Sequence, residues 1–211
     1  MSFITYHSKM ATIALAQDRW SFPGIKESTL GDKKYYYTEQ YARYWSNSIS
    51  YTQWEELDKL IGRRWIRNAS TTALPPTGRS SIIFDTSQQI EPIFNLTDYD
   101  GNIRSDLIEC LWWDHKSISL IGTTWTCENL SHPLCDIYQT SIEIPPQKHL
   151  DILLAFQAYT DESVSKTINT PHHTSIQDIE NMYINGLQSG VKWITLYRDG
   201  SRINQPVTLS A

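Results

Sequence analysis

The sequence predicts an α/β protein with parallel strands, and its C-terminal third carries the argument. Two β-rich runs, Val164–Asn169 and Val191–Tyr197, flank a stretch that sets Ile176, Ile179, Met182, Tyr183 and Leu187 on one helical face. Strand, helix of three to four turns, strand is a βαβ unit, whose crossover makes the two strands parallel with a right-handed connection. A broad apolar face (Leu150, Ile152, Leu153, Leu154, Phe156 and Tyr159) adds a helix over 147–162, just ahead of the first strand.

The elements follow in order from the N-terminus. Phe3, Tyr6, Met10, Ile13, Ala14 and Leu15 recur at mixed helical spacing, which predicts a helix over 3–18, broken by Trp20-Ser-Phe-Pro-Gly24. The tyrosine-rich run from Lys33 to Ser48 fits either helix or loop. Thr52-Gln-Trp-Glu55 reads as a capping box, because hydroxyl and carboxylate can each satisfy an early amide. Trp54, Leu57, Leu60 and Ile61 form the stripe of that helix, and Gly62 suits its end. Ala69–Leu74 is β-like, Pro75-Pro-Thr-Gly-Arg-Ser-Ser81 is a loop, and Ile82, Ile83 and Phe84 resume an apolar stretch. Residues 96–140 carry turn signals and an amphipathic piece around Leu107–Trp113, without a clear pattern. Thr174-Ser-Ile-Gln177 is a second capping box, Gly190 takes the left-handed position after the helix, and Asp199-Gly200 turns the chain after the last strand.

Composition narrows the function. At 211 residues with 40% hydrophobic and 19% charged side chains, the chain can bury a core of useful size. Its mean hydropathy is −0.42, and no apolar run approaches the roughly 20 residues of a membrane helix. A formal charge of −5 argues against sequence-independent binding to DNA or RNA phosphate. The three cysteines, Cys110, Cys127 and Cys135, form neither a disulfide framework nor a C-x-x-C pair. No signal-peptide pattern opens the sequence, so we expect a cytoplasmic protein, in which the sequons at Asn68, Asn95 and Asn129 are chance matches. Eight Trp and twelve Tyr exceed what a minimal core needs and suggest interface surface.

Pro76, Thr77, Gly78, Arg79, Ser80 and Ser81 make the best anion loop on physical grounds. Gly78 lets backbone amides approach a ligand, the hydroxyls of Thr77, Ser80 and Ser81 donate hydrogen bonds, and Arg79 offers a fork that matches phosphate oxygens. The same hexapeptide also serves as an ordinary surface turn, and it is no Walker loop, since the second Gly and the Lys are missing. His172-His173 would point to opposite faces of an extended chain and reads as a solvated loop, not a metal site. Nothing beside Cys127-Glu128 lowers the thiol pKa, so that pair reads as a free cysteine.

Two longer segments are more specific. The first is Arg67-Asn-Ala-Ser-Thr-Thr-Ala-Leu-Pro-Pro-Thr-Gly-Arg-Ser-Ser-Ile-Ile83, followed by Ser87-Gln-Gln-Ile-Glu-Pro-Ile-Phe94. The second is Ala155–Pro171, with Val164-Ser-Lys-Thr-Ile-Asn169 at its centre, and then Tyr197-Arg-Asp-Gly-Ser-Arg202. Both resemble, in order and spacing, the C-terminal part of the catalytic chain of ribonucleotide reductase. Residues 16–23, Ala-Gln-Asp-Arg-Trp-Ser-Phe-Pro, weakly resemble a stretch upstream of these. The resemblance implies a partial α/β barrel, the C-terminal part of a ten-stranded one, closing with the βαβ unit. On this reading residues 1–211 form a single domain. A helical lead-in covers 1–64, the phosphate-loop strand region 65–95, a divergent insert 96–140, and the helix with the closing strands 141–211. A single tyrosine, Tyr197, stands where chains fed by a separate di-iron protein carry two, which resembles the adenosylcobalamin-dependent class.

The resemblance further implies that Pro76, Thr77, Gly78, Arg79 and Ser80 match the loop holding the substrate's phosphates, although Arg79 stands where the family has a small hydroxyl residue. The Asn-x-Cys-x-Glu arrangement that the family uses for its thiyl radical is missing, as are tail cysteines after Arg202. We therefore expect a small subunit of a split reductase, inactive alone. A larger chain would bring the radical cysteine and most of the adenosylcobalamin site, and the substrate would be a ribonucleotide. The alternatives are a degenerate nucleotide-binding or regulatory module and a truncated product without function.

Overall fold

A computed structural model describes residues 1–31, 36–44, 47–84, 86–94 and 139–202. The elements are α1 (Ser2–Arg19), a 3₁₀ turn (Ile25–Glu27), α2 (Tyr37–Arg43), α3 (Tyr51–Arg64), α4 (Gly78–Ile83), α5 (Pro146–Gln157), β1 (Thr167–Thr170), α6 (Ile176–Gln188) and β2 (Thr195–Arg198). The chain divides into two compact units. The first comprises Met1–Pro75, Ile152–Val164 and Leu187–Trp193; the second comprises Pro76–Asp151, Ser165–Gly186 and Ile194–Ala211.

The first unit is organised around aromatic rings. Trp54 on α3 is fully buried, stacked on Tyr37 at 5.3 Å and on Tyr159 at 5.6 Å between ring centroids, with Tyr6 edge-on at 5.4 Å. Ile13, Ile25, Ile49, Leu57, Ile61, Ile66 and Ala158 complete this core. Part of the Trp and Tyr surplus that the composition assigned to interfaces is therefore core. Large flat rings fill the space between helices, and offset or edge contacts add to their area burial. The Tyr159 hydroxyl donates to the Tyr44 carbonyl at 2.7 Å, and burial, with Tyr41 nearby, pushes its pKa up to about 12.

Helix caps sit near their expected places but use different residues. Ser50, not Thr52, caps α3: Gln53 N–H donates to Ser50 Oγ at 3.3 Å, while Ser50 N–H donates to Gln53 Oε1 at 2.9 Å. Gly62 lies inside α3, and Trp65 (φ 61°) ends it instead. At α6 the reciprocal pair is Ser175 and Asp178, one residue later than expected, and Gly190 does adopt φ 90° beyond its end. Ser50→Ala should cost about 1 kcal/mol and lower the melting temperature by about 2–4 °C, read by circular dichroism.

Strand pairing is parallel, as the βαβ pattern requires, though the strands are shorter than the β-rich runs. β1 and β2 pair in register Thr167↔Thr195 through Thr170↔Arg198. Asp199 N–H extends the contact to the Thr170 carbonyl at 2.9 Å. Between them α6 packs closely on the Ile194 side chain just ahead of β2, since a Cβ on Gly186 would collide with Ile194 Cδ1. In the first unit, the β-like run 69–74 contributes one bridge, Leu74 with Val164, also parallel. The described residues thus show an open α/β arrangement with helices beside a short parallel sheet.

Candidate functional site

The five loop residues open the second unit. The expected loop is partly helical: Thr77 precedes α4, whose first hydrogen bond runs from Ser81 N–H to the Thr77 carbonyl at 2.9 Å. The amides of Gly78, Arg79 and Ser80 precede that bond, as the first amides of any helix do. Pro76, Arg79 and Ser80 are exposed, whereas Thr77 and Gly78 are half-buried. Of the three hydroxyls, that of Ser81 is committed to the Gly78 carbonyl at 2.8 Å, and Thr77 Oγ1 accepts from Gln89 N–H at 3.2 Å. Arg79 and Ser80 are left as the outward-facing polar groups. Ile82, Ile83 and Phe84 follow directly, 72%, 77% and 76% exposed, so the apolar stretch expected there faces outward.

A neighbouring segment holds this loop, and sequence reasoning missed it. Gly78 lies against the Gln88 side chain, whose amide nitrogen would be 3.3 Å from an added Cβ. Three residues beyond Gln88, the Glu91 carboxylate takes the Lys166 ammonium on Oε2 at 2.9 Å and the Thr167 N–H on Oε1 at 2.6 Å. Lys166 is 1% exposed and Glu91 7%, so the pair is buried. His149, also buried, donates from Nε2 to the Ser141 carbonyl at 2.8 Å. Burial first, and then the Lys166 charge, lower its pKa, so the ring is neutral near pH 7. The signal lay inside the quoted motifs, Ile90-Glu-Pro92 and Ser165-Lys-Thr167, but two residues 75 positions apart do not announce that they pair.

The first unit has a cavity of about 450 Å³ lined by Lys9, Arg43, Tyr44, Gln157, Asp161 and Lys192, among others. Its cations have local duties. Lys9 pairs with Asp161, Lys192 donates to the Asp161 carbonyl, and Arg43 lies in the last turn of α2, over the Tyr44 ring. Residues at the ends of α2, α5 and α6 line this space, and cations there balance the partial negative charge of helix C-termini. A second cavity, of about 460 Å³, runs beside α3. Both suit a drug-sized molecule and are far too small for a corrinoid with its nucleotide arms. His172 lies in an exposed turn and donates from Nδ1 to the Asp199 carbonyl at 3.0 Å. Among the described residues no three His, Cys, Asp or Glu side chains group as metal ligands, and no helix is long and apolar enough to cross a membrane. Cys110, Cys127 with Glu128, and Cys135 lie outside the described residues, as does nearly all of the expected insert 96–140.

The family model described as "Ribonucleotide reductase, barrel domain" matches residues 1–197. The chain therefore belongs to the ribonucleotide reductase family, within its barrel domain. Its relatives include the vitamin B12-dependent ribonucleoside-diphosphate reductase of Thermoplasma acidophilum, 30% identical over 99% of this chain and 25% of that protein. The protein of the same name from Mycobacterium tuberculosis H37Rv is 31% identical over 69% of this chain and 22% of its own length. The vitamin B12-dependent ribonucleotide reductase of Streptomyces coelicolor is 32% identical over 74% and 18%. The chain thus spans a quarter or less of the length of these curated relatives.

Proposed function

We propose that these residues supply the closing part of a vitamin B12-dependent ribonucleotide reductase barrel, together with the loop that receives the substrate's phosphates, and that a larger chain supplies the thiol chemistry. The reading rests on the whole-chain similarity to B12-dependent reductases and on the motif order 67–94, 155–171, 197–202. The observation that carries the site is the loop itself. Arg79 and Ser80 face outward from a backbone anchored at Thr77 and Gly78, so a guanidinium and a hydroxyl are held ready for anionic oxygens. These 211 residues hold no Asn-x-Cys-x-Glu arrangement, which leaves the thiyl radical and the redox cysteines to the partner. Adenosylcobalamin is assigned mainly to the partner, and no step of this chain's chemistry runs through it. The part played here is to bind and orient a ribonucleotide by its phosphates, in the cytoplasm.

Co-purification with a larger B12-dependent chain and an assay of deoxyribonucleotide formation test the proposal. Arg79→Ala should raise the substrate KM about tenfold, the loss of roughly 1.4 kcal/mol of charge-assisted bonding, with kcat within twofold. Arg79→Thr, which restores the family's small hydroxyl, should retain activity. No association with any such chain, or an unchanged KM in Arg79→Ala, counts against it. The departure at Arg79 motivates a second reading, a degenerate nucleotide-binding module. That reading gains if the chain alone binds nucleotide saturably and adds no reductase activity to a partner.

A further inference from the structure

We infer that Glu91 and Lys166 are positioning residues for the phosphate loop, setting where Thr77–Ser80 stands relative to β1. The inference deepens the proposed function and rests on its assignment of that loop. Glu91 has two oxygens and two separate tasks. Oε1 takes the Thr167 N–H at 2.6 Å, a backbone amide at the start of β1, and Oε2 takes the Lys166 ammonium at 2.9 Å. Segment 88–91 is thereby held against the strand at two points. The same segment holds the loop, since Gln89 N–H donates to Thr77 Oγ1 and the Gln88 side chain lies against Gly78. From β1 to the loop the connection is continuous: Lys166 and Thr167 bond to Glu91, two residues back along the chain Gln89 bonds to Thr77, and one residue further Gln88 lies against Gly78. Arg79 and Ser80 come next and are exposed.

Stability alone does not account for this arrangement. A buried ion pair gives up two hydration shells, and apolar side chains of similar volume in its place are often neutral or stabilising. A carboxylate that splits its oxygens between a side chain and a strand amide does something an apolar pair cannot, because directional bonds admit one register where apolar packing admits several. A loop that must meet phosphate oxygens within a few tenths of an ångström needs that restriction.

The test uses the double variant Glu91→Leu/Lys166→Met in the full chain, assembled with its partner. Expected are a melting temperature lowered by about 2–4 °C, because Leu leaves the Thr167 N–H without its acceptor, a substrate KM raised at least fivefold at temperatures where the variant is folded, and kcat within twofold. A merely structural pair would leave KM unmoved at those temperatures, and that result overturns the inference. Should the double variant fail to fold, Glu91→Gln keeps the shape and the acceptor for Thr167 N–H while removing the charge. Native-state amide exchange should then rise at least tenfold at Ser81 and Gln89, the two amides bonded to Thr77, with Ile168 in β1 unchanged. An equal rise at Ile168, or none at the loop, overturns it. Arg79→Ala separates the two claims. A normal KM in that variant sinks the phosphate loop itself, and the exchange measurement still decides whether Glu91 holds residues 77–81.

Discussion

Trp54→Ala should lower the unfolding free energy of the chain by about 3–5 kcal/mol, read from urea transitions followed by circular dichroism. The side chain is fully buried among Tyr6, Tyr37 and Tyr159, and its removal strips three rings of their common partner. Such a loss is a large share of the ~5–15 kcal/mol that keeps a domain folded. Trp54→Phe should cost much less. It keeps a stacking ring, and it deletes the indole Nε1–H, which is buried without an acceptor among the described residues. A Trp54→Ala protein within about 1 kcal/mol of wild type would show that the rings repack and that the aromatic core is not cooperative.

Asp161→Asn should be nearly as damaging, again about 3–5 kcal/mol, because it strands the ammonium of Lys9, which is 1% exposed. Asp161 Oδ2 gathers four donors: Lys9 Nζ at 2.7 Å, Thr71 N–H at 2.6 Å, Thr71 Oγ1 at 2.9 Å and Thr72 N–H at 3.2 Å. Lys9→Met should cost less, because three of those donors remain on the carboxylate. The double variant should recover part of the loss, and a double-mutant cycle would report the coupling. Strict additivity of the two single effects would contradict a direct pair.

Acid should reveal the same carboxylate. Burial alone would raise the Asp161 pKa, but the Lys9 charge and the hydrogen bonds from Lys9 and Thr71 outweigh it and hold the pKa below the usual value. The folded state therefore binds its proton less readily than the unfolded chain. The stabilisation is complete above the unfolded value of about 3.9 and is lost as pH falls through the lower folded value. His149 has the same sign, since its depressed folded pKa makes acid costly from about pH 6.5 downward. Wild type should lose stability in two stages, and Asp161→Asn should lack the second.

Much of the architecture was legible locally. Helices α1, α3, α5 and α6 stand where the apolar recurrence predicts them, and Gly190 follows from the need for a left-handed residue after α6. The predicted faces are buried on α3 and for most of α5, but on α1 Phe3 and Leu15 and on α6 Ile176, Tyr183 and Leu187 are exposed. Thr5, Lys9 and Thr12 of α1 are buried instead, because what packs beside a helix and not its own pattern selects the covered side. The cap of α3 moved from Thr52 to Ser50 because Ser, Thr, Asp and Asn compete for that role within one turn, and the winner depends on where the chain enters the helix. The strands were read too long because β-branched runs mark residues that tolerate extension, while a ladder forms only where a neighbouring strand is present. Likewise the Pro-Thr-Gly sequence read as a turn, yet Gly78 begins a helical turn that commits Ser81 and leaves Ser80 outward.

By itself the sequence determined where the helices lie, the parallel βαβ unit and the reductase family, because periodicity and motif order are properties of neighbours along the chain. Only the tertiary structure decided that Trp54 is a shared ring partner, that Lys9 meets Asp161 across 152 positions, and that Glu91 clamps Lys166 across 75. Those partners are selected by burial. A charge removed from water must find its opposite wherever the fold brings one, and no local pattern encodes how far along the chain that partner stands.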